Sequence, residues 1–298
     1  MNINISFRDF SKTGLVLLIL CSLAWTVQGQ EEPAAKDNRP VRSTFSSVWL
    51  IDNQTVEVPI KGTFEMDIQH RFGIINNGYD DLFGLYAPSN IRLGFMYTII
   101  DKLSIGFGLT KTNLSWDFNA KYAIFKQTRS GSVPVSLTYF INLAIDTREK
   151  ERTLYDDFSN RMSYFHQLII ARRFSPKFSL QIAPSISHFN LVEAYRVTNE
   201  VIDGVKKNDH FAIAIGARLK VSDQTGIIFN YDIPITDHPL EDPEGNLSFG
   251  IELTSSAHAF QIFLGNFYDI IPQRNNFNNR NEGGDMLIGF NITRLWNF

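Results

Sequence analysis

Little in this chain could crosslink it. It holds a single cysteine, Cys21, in 298 residues, so an intramolecular disulfide framework is excluded. There is no surplus of either charge: the formal net charge is −3, which gives no footprint for nucleic acid. No apolar run approaches the roughly 18 residues of a helical membrane span. Leu15 to Trp25 is too short for one. Metal-ligand spacing is missing as well. The six histidines, His70, His166, His188, His210, His238 and His258, are scattered without a His-x-x-x-His, and no metal or other cofactor is expected. Nor is there a His-x-Ser pair of the kind a membrane-embedded lipid hydrolase carries. Ser187 and His188 fall on opposite faces of one strand, so they form no dyad by themselves. Asp156, Asp157 and His188 could be imagined at a proteolytic rim, but any surface loop offers as much. The glycine-containing loops have no phosphate-binding pattern. An enzyme is not expected.

Aromatics and alternation are what the chain does have. Aromatic residues make up 13%, mostly the 25 phenylalanines. In the last stretch, Met286, Ile288, Phe290, Ile292, Trp296 and Phe298 alternate with a mostly small or polar set. That is period two, a strand with one apolar face. Its aromatic end, with Trp296 and Phe298, is what a barrel-assembly machine pairs with by strand addition. The same alternation begins at Ile60, where Phe64, Met66, Ile68 and Phe72 oppose Glu65, Asp67, Gln69 and Arg71. A long strand with one charged face is hard to place in a soluble sandwich, but it suits a wall between lipid and water. Reading on, twelve such strands are expected. Short turns alternate with longer polar connections, except for a tight link at Lys111 to Asn113. The fold class expected is an all-β, transmembrane, antiparallel up-and-down barrel of about twelve strands. Asn275 to Gly284 reads as an Asn/Arg/Gly-rich surface loop.

The start of the chain has another character. Arg8 and Lys12, then Leu15 to Trp25, then small residues before Gln30, read as a cleaved signal peptide over 1–29. Residues 30–57 read as a polar linker or short plug segment, and 58–298 as the barrel. The location implied is the outer membrane of a Gram-negative bacterium.

Parity assigns an inward charged set: Lys61, Glu65, Asp67, Arg71, Arg92, Asp117, Lys121, Arg173, Arg218, Lys220, Asp232 and Glu252. These groups could pair and close the lumen, or line a narrow channel. A channel for small polar or charged solutes is the leading expectation. A closed barrel with a structural or partner-binding role comes second, and a membrane-embedded hydrolase third. A channel would solvate Arg92 and Arg218, so their removal would cost little. On the lipid face Ile251 is the sensitive position, with inward Gly250 as a mild control. The partners expected are outer-membrane lipid, barrel-assembly machinery and small solutes, with protein partners open and no nucleic acid.

Several stretches carry a resemblance: Lys61-Gly62-Thr63-Phe64-Glu65, His70-Arg71-Phe72-Gly73, Phe83-Gly84-Leu85 and Asn90-Ile91-Arg92-Leu93-Gly94, then Gln167 to Phe174, Pro184 to His188 and Gly289 to Arg294. Over about Val56 to Phe298 the chain resembles an uncharacterised family of outer-membrane β-barrels, known as a domain of unknown function. The resemblance implies the fold and the location and brings no catalytic residues.

Overall fold

The structure, a computed structural model, describes residues 37–149, 155–192, 194–196 and 202–298. The expected signal peptide and Cys21 lie outside the described residues. The chain divides into two compact units after Asp37, and the elements below all belong to the unit beginning at Asn38.

A short hairpin comes first, β1 (Trp49–Leu50) and β2 (Asn53–Gln54). The wall begins with β3 (Thr63–Ile74), β4 (Asn90–Ile100), β5 (Leu103–Thr110), β6 (Ser115–Phe125), β7 (Ser136–Ile145), β8 (Met162–Arg173) and β9 (Phe178–Phe189). A second small hairpin, β10 (Ala194–Arg196) and β11 (Ile202–Gly204), interrupts it. The wall resumes with β12 (Asp209–Lys220), β13 (Thr225–Pro234), β14 (Asn246–Thr254), β15 (His258–Gly265) and β16 (Leu287–Asn297). Every wall strand pairs antiparallel with its sequence neighbour in the wall. β16 then pairs with β3, with Leu295 opposite Glu65, which closes a twelve-stranded barrel. Full closure removes the unpaired edges that an open sheet would expose. The twelve strands are those the alternation predicts. The tight link after β5 is a single 3-10 turn at Thr112–Leu114, with Asn113 at φ 58°.

Parity does the sorting. In β3 the residues Thr63, Glu65, Asp67, Gln69 and Arg71 are buried inside, while Phe64, Met66 and Ile68 face out. Outward residues elsewhere, among them Phe107, Trp116, Phe211, Ile227 and Ile251, are left largely uncovered by the chain itself. A belt of that size would be an aggregation hazard in water and suits lipid instead. Trp296, Phe64, Phe95 and Phe107 form a row of ring contacts across it, with centroids 5.7, 6.2 and 5.2 Å apart. Among the described residues no helix is long and apolar enough to cross a membrane.

The end of the barrel with short turns also holds the start of the N-terminal segment. There Pro40 bridges Thr128, and Val41 donates its N–H to the Gln127 carbonyl at 2.9 Å. From that point the chain runs up into the barrel. At the long-loop end, helix α1 (Pro272–Asn278) turns inward with Gln273, Asn275, Asn276 and Phe277 buried. This corrects the surface-loop reading of Asn275 to Gly284 in its first half. The asparagines are there because they face polar wall groups and the hairpin, not because they face water.

Candidate functional site

The interior contains two internal segments and the wall residues that meet them. The first segment runs from Asn38 to Pro59, and the β1–β2 hairpin is its tip. Phe45, Leu50, Ile51 and Val56 are buried, as are Asp52, Asn53, Gln54 and Thr55. Wall side chains bind its backbone. Gln261 Nε2 donates to the Trp49 carbonyl at 2.8 Å, and Gln261 Oε1 accepts from Ile51 N at 3.1 Å. Asn291 Nδ2 donates to the Ile51 carbonyl at 2.6 Å and Gln181 Nε2 to that of Gln54 at 3.0 Å. Thr138 holds Val56, Ser179 holds Thr44, and Arg173 holds the Ser43 carbonyl. Side-chain amides and hydroxyls thus supply the partners that a buried, unpaired backbone requires. Ile51 turns the hairpin at φ 59°, a left-handed conformation uncommon for a β-branched residue and held here by bonds at both its N–H and its C=O.

The tip also has an apolar side. Phe140, Phe165, Ile169, Ile228 and Phe263 point inward from β7, β8, β13 and β15, and join Phe45, Leu50, Ile51 and Val56 in one buried cluster. Gly216 on β12 permits this approach, since a Cβ there would lie 2.5 Å from Leu50 Cδ2. Sequence reasoning missed these inward residues. The available signal was a run apolar on both faces at mid-strand, as in Tyr139-Phe140-Ile141 and Ile227-Ile228-Phe229.

The inward charges fall into distinct groups. Arg92 binds Asp117 through Nε and Nη2 and Asp67 through Nη1, all at 2.9 Å. All three side chains are almost fully buried. Gly94 and Gly108, paired in register on β4 and β5, lie directly beneath this cluster, and a Cβ on either would collide with it. The ring of Trp49 from the hairpin lies 5.8 Å from the guanidinium. Arg218 pairs with Glu252 at 2.5 Å, and Gln261 donates to the other Glu252 oxygen at 2.9 Å. Lys121 Nζ donates to Gln54 Oε1 at 2.8 Å. Arg71 bonds Asn291 Oδ1 at 2.9 Å, with its guanidinium carbon 4.6 Å from the Phe263 ring. Glu65 and Asp232 are buried as well.

Three of the predicted lumen residues lie elsewhere. Lys61 is exposed in the turn before β3. Lys220 is at the rim, paired with Asp223 at 2.6 Å. Arg173 is partly exposed at the mouth, where it holds the N-terminal segment. Lys61 lies just outside its strand and the other two at the ends of theirs, where parity no longer separates lumen from solvent. Arg92 and Arg218 are paired and buried, which corrects the expectation that they are solvated.

At the opposite end, α1 is held by its own contacts. Gln273 Nε2 donates to Asn142 Oδ1 at 3.0 Å, and Asn275 Nδ2 to Asp52 Oδ2 at 2.9 Å, so helix and hairpin touch. The Phe277 ring sits among Phe189, His210, His238 and Lys206, with Lys206 Nζ 2.5 Å from the Phe277 carbonyl. His238 Nδ1 accepts from Lys207 N at 2.9 Å, so in neutral His238 the proton is on Nε2, which donates to His210 Nδ1 at 3.0 Å. Burial, with Lys206 beside it, holds His238 below the usual histidine range. Ser187 is buried and inward while His188 faces out and pairs with Asp209, so the two do not meet. Among the described residues no three His, Cys, Asp or Glu side chains converge as a metal cluster.

A closed antiparallel barrel with a lipid-type outer face is therefore in place, and one family shares its sequence pattern. The profile described as membrane bound beta barrel domain (DUF5777) matches residues 45–296. The chain belongs to this family. The matched span includes the N-terminal hairpin, so the hairpin lies within the family domain and not ahead of it. Comparison with curated proteins finds no match. Similar solved structures include an outer-membrane channel from Pseudomonas putida F1, at 10% identity and TM-score 0.49, covering 80% of this chain and 97% of that one. The NanC porin is 8% identical with TM-score 0.47, covering 79% and 99%. The KdgM porin is 10% identical with TM-score 0.45, covering 78% and 99%.

Proposed function

We propose that this membrane-bound barrel is an outer-membrane channel for small polar or charged solutes, held shut by its own N-terminal segment. One observation carries the reading. Beyond its backbone bridge at Pro40 and Val41, the segment's backbone is held by side-chain amides and hydroxyls of the wall, not by strand pairing with it. Water or a polar solute can replace such partners, and a wall stripped of the segment keeps Lys121, Gln167, Gln181, Asn230, Gln261 and Asn291 in its lining, beside the apolar patch of Phe140, Phe165, Ile169, Ile228 and Phe263. In this reading the chain reaches the outer membrane through a cleaved signal peptide, and Trp296 and Phe298 meet the assembly machinery.

The Arg92 cluster favours a second reading, a permanently closed barrel that acts through its long loops. Its charges are paired and buried among wall residues, as in a structural brace. Planar-bilayer recordings separate the two. The full chain should be mostly silent with rare openings, and a variant lacking residues 38–58 should conduct in stable steps. A folded deletion variant that stays silent would reject the channel.

A further inference from the structure

Where hairpin, wall and α1 meet, two carboxylates face one another. Asn230 Nδ2 lies 3.0 Å from Asp52 Oδ1 and 3.0 Å from Asp232 Oδ1, so a single amide bridges the pair. Asn53 Nδ2 donates to Asp232 Oδ1 at 2.8 Å, Asn246 Nδ2 to Asp232 Oδ2 at 3.3 Å, and Asn275 Nδ2 to Asp52 Oδ2 at 2.9 Å. Asp52 and Asp232 are at most 4% exposed. Among the described residues neither forms an ion pair; the cation that acts on Asp52 from beyond ion-pair distance is the buried Arg71 guanidinium, bonded to Asn291. Two carboxylates held this close and out of water repel unless something positive lies between them.

A second observation points to what that is. Asn230, Asn246 and Asn275 are each at least 98% buried, and each has an Oδ1 with no hydrogen-bond partner. These are the same three amides whose nitrogens crowd the carboxylates. An amide oxygen and nitrogen exchange places by a half-turn of the terminal torsion. Turned that way, all three unpartnered oxygens point at the carboxylates, and Asn276 turns with Asn246, to which it is bonded. Asn53 stays as it is, because its Oδ1 already accepts from Gln167 at 2.8 Å. The result is a cage of oxygens on flexible side chains, with two negative charges.

We propose that this junction binds one divalent cation of the calcium type, through the carboxylates of Asp52 and Asp232 and the side-chain carbonyls of Asn230, Asn246 and Asn275. Hard cations take oxygen ligands, and calcium takes six to eight of them in adaptable geometry, whereas magnesium demands a tighter octahedron. One divalent ion offsets the two carboxylates, and the Arg71 guanidinium, which acts on Asp52 from farther away, stays outside the ligand set. A shallow recess lined by His210, Asp232, Glu244, Asn246 and Asn276 borders the site, and Glu244 is exposed there. The ligands belong to the hairpin, to β13 and β14, and to α1. A bound ion therefore ties both internal segments to the wall, whether or not the barrel conducts.

The test uses the refolded full chain in detergent micelles, stripped with a chelator and titrated with calcium chloride by calorimetry. The expected result is one calcium per chain and an unfolding midpoint that rises with calcium and falls again with chelator. Asp52→Asn and Asp232→Asn should each abolish uptake while keeping the folded, heat-modifiable band. Asn275→Ala should weaken uptake roughly tenfold or more, in line with other losses around metal sites. No saturable uptake at neutral pH, or uptake untouched by the three substitutions, would overturn the proposal. So would a midpoint that follows pH and ignores calcium, since the carboxylates would then share a proton. If the aspartate variants do not fold, Asn275→Ala decides, because it lies on α1 and not in the wall.

Discussion

Two polar clusters lie inside this barrel, and they are built differently. The Arg92 cluster draws its charged partners from β3, β4 and β6, all in the wall, over a glycine floor that fits nothing else. The Asp52 junction draws on the hairpin, the wall and α1, and both of its charges have the same sign. The ion pairs of the first form entirely within the wall; the second exists only when both segments are docked. A barrel of this family can thus hold a fixed brace and a separable junction at once, and mutations should tell them apart.

Arg92→Ala attacks the brace and should have the largest effect. It leaves Asp67 and Asp117 buried without their cation, a loss of about 3–5 kcal/mol. Urea unfolding in micelles should show it, with no gain in conductance. A loss below about 1 kcal/mol would mean that water reaches the cluster. Outside both clusters, Ile251→Arg on the lipid face should cost about 2–4 kcal/mol of insertion near the midplane. Gly250 no longer serves as its mild control, because a Cβ there would run into the Ile262 carbonyl and Phe263. Ser248→Ala, inward on the same strand, takes its place and should change the folded fraction little. Gln261→Ala loosens the hairpin from β15 and should cost about 1–3 kcal/mol, the penalty for buried groups left unpaired. Unlike Arg92→Ala, it should also raise the frequency of channel openings. Equal conductance in the two variants would erase the distinction between brace and junction.

The smallest effect concerns α1. Its latch surrounds His238 with His210, Lys206, Lys207, Asp237 and Asp242. The His238 pKa is lowered in the folded state, so the stability it confers is present above the usual value of about 6.5. That stability is lost as the pH falls below this value toward the folded one. Proteolysis of the loop carrying α1 should quicken across that window, and His238→Gln should flatten the dependence.

The wall was legible because period two is a direct record of lipid on one side and polar groups on the other. Parity alone placed Glu65, Asp67, Arg92 and Asp117 inward. It could not say that Arg92 pairs with the other two, since pairing across β3, β4 and β6 depends on register. It could not reveal Phe140, Phe165 or Phe263 as interior residues either, because their outward neighbours are apolar too. The hairpin was nearly silent: two-residue strands show no period, and Asp52, Asn53 and Gln54 look like solvated residues when nothing indicates what surrounds them. α1 misled for the same reason, as asparagine-rich composition suggests water even where wall amides supply the bonds.

The position of the hairpin in the chain also governs the order in which the molecule can be completed. It emerges before every wall strand, yet several of its anchors, Gln261, Asn275 and Asn291, follow most of them. Ile51 and Asn291 are 240 positions apart, and Asp52 and Asn275 are 223 apart. Contacts of such long range form late, because the chain between them must be ordered first. The seam that closes the wall, β16 on β3, begins only a few residues after the hairpin segment ends. Docking of the hairpin and shutting of that seam are therefore neighbouring late events in biogenesis. A chain stalled before β16 would have a hairpin with much of its housing but no lock.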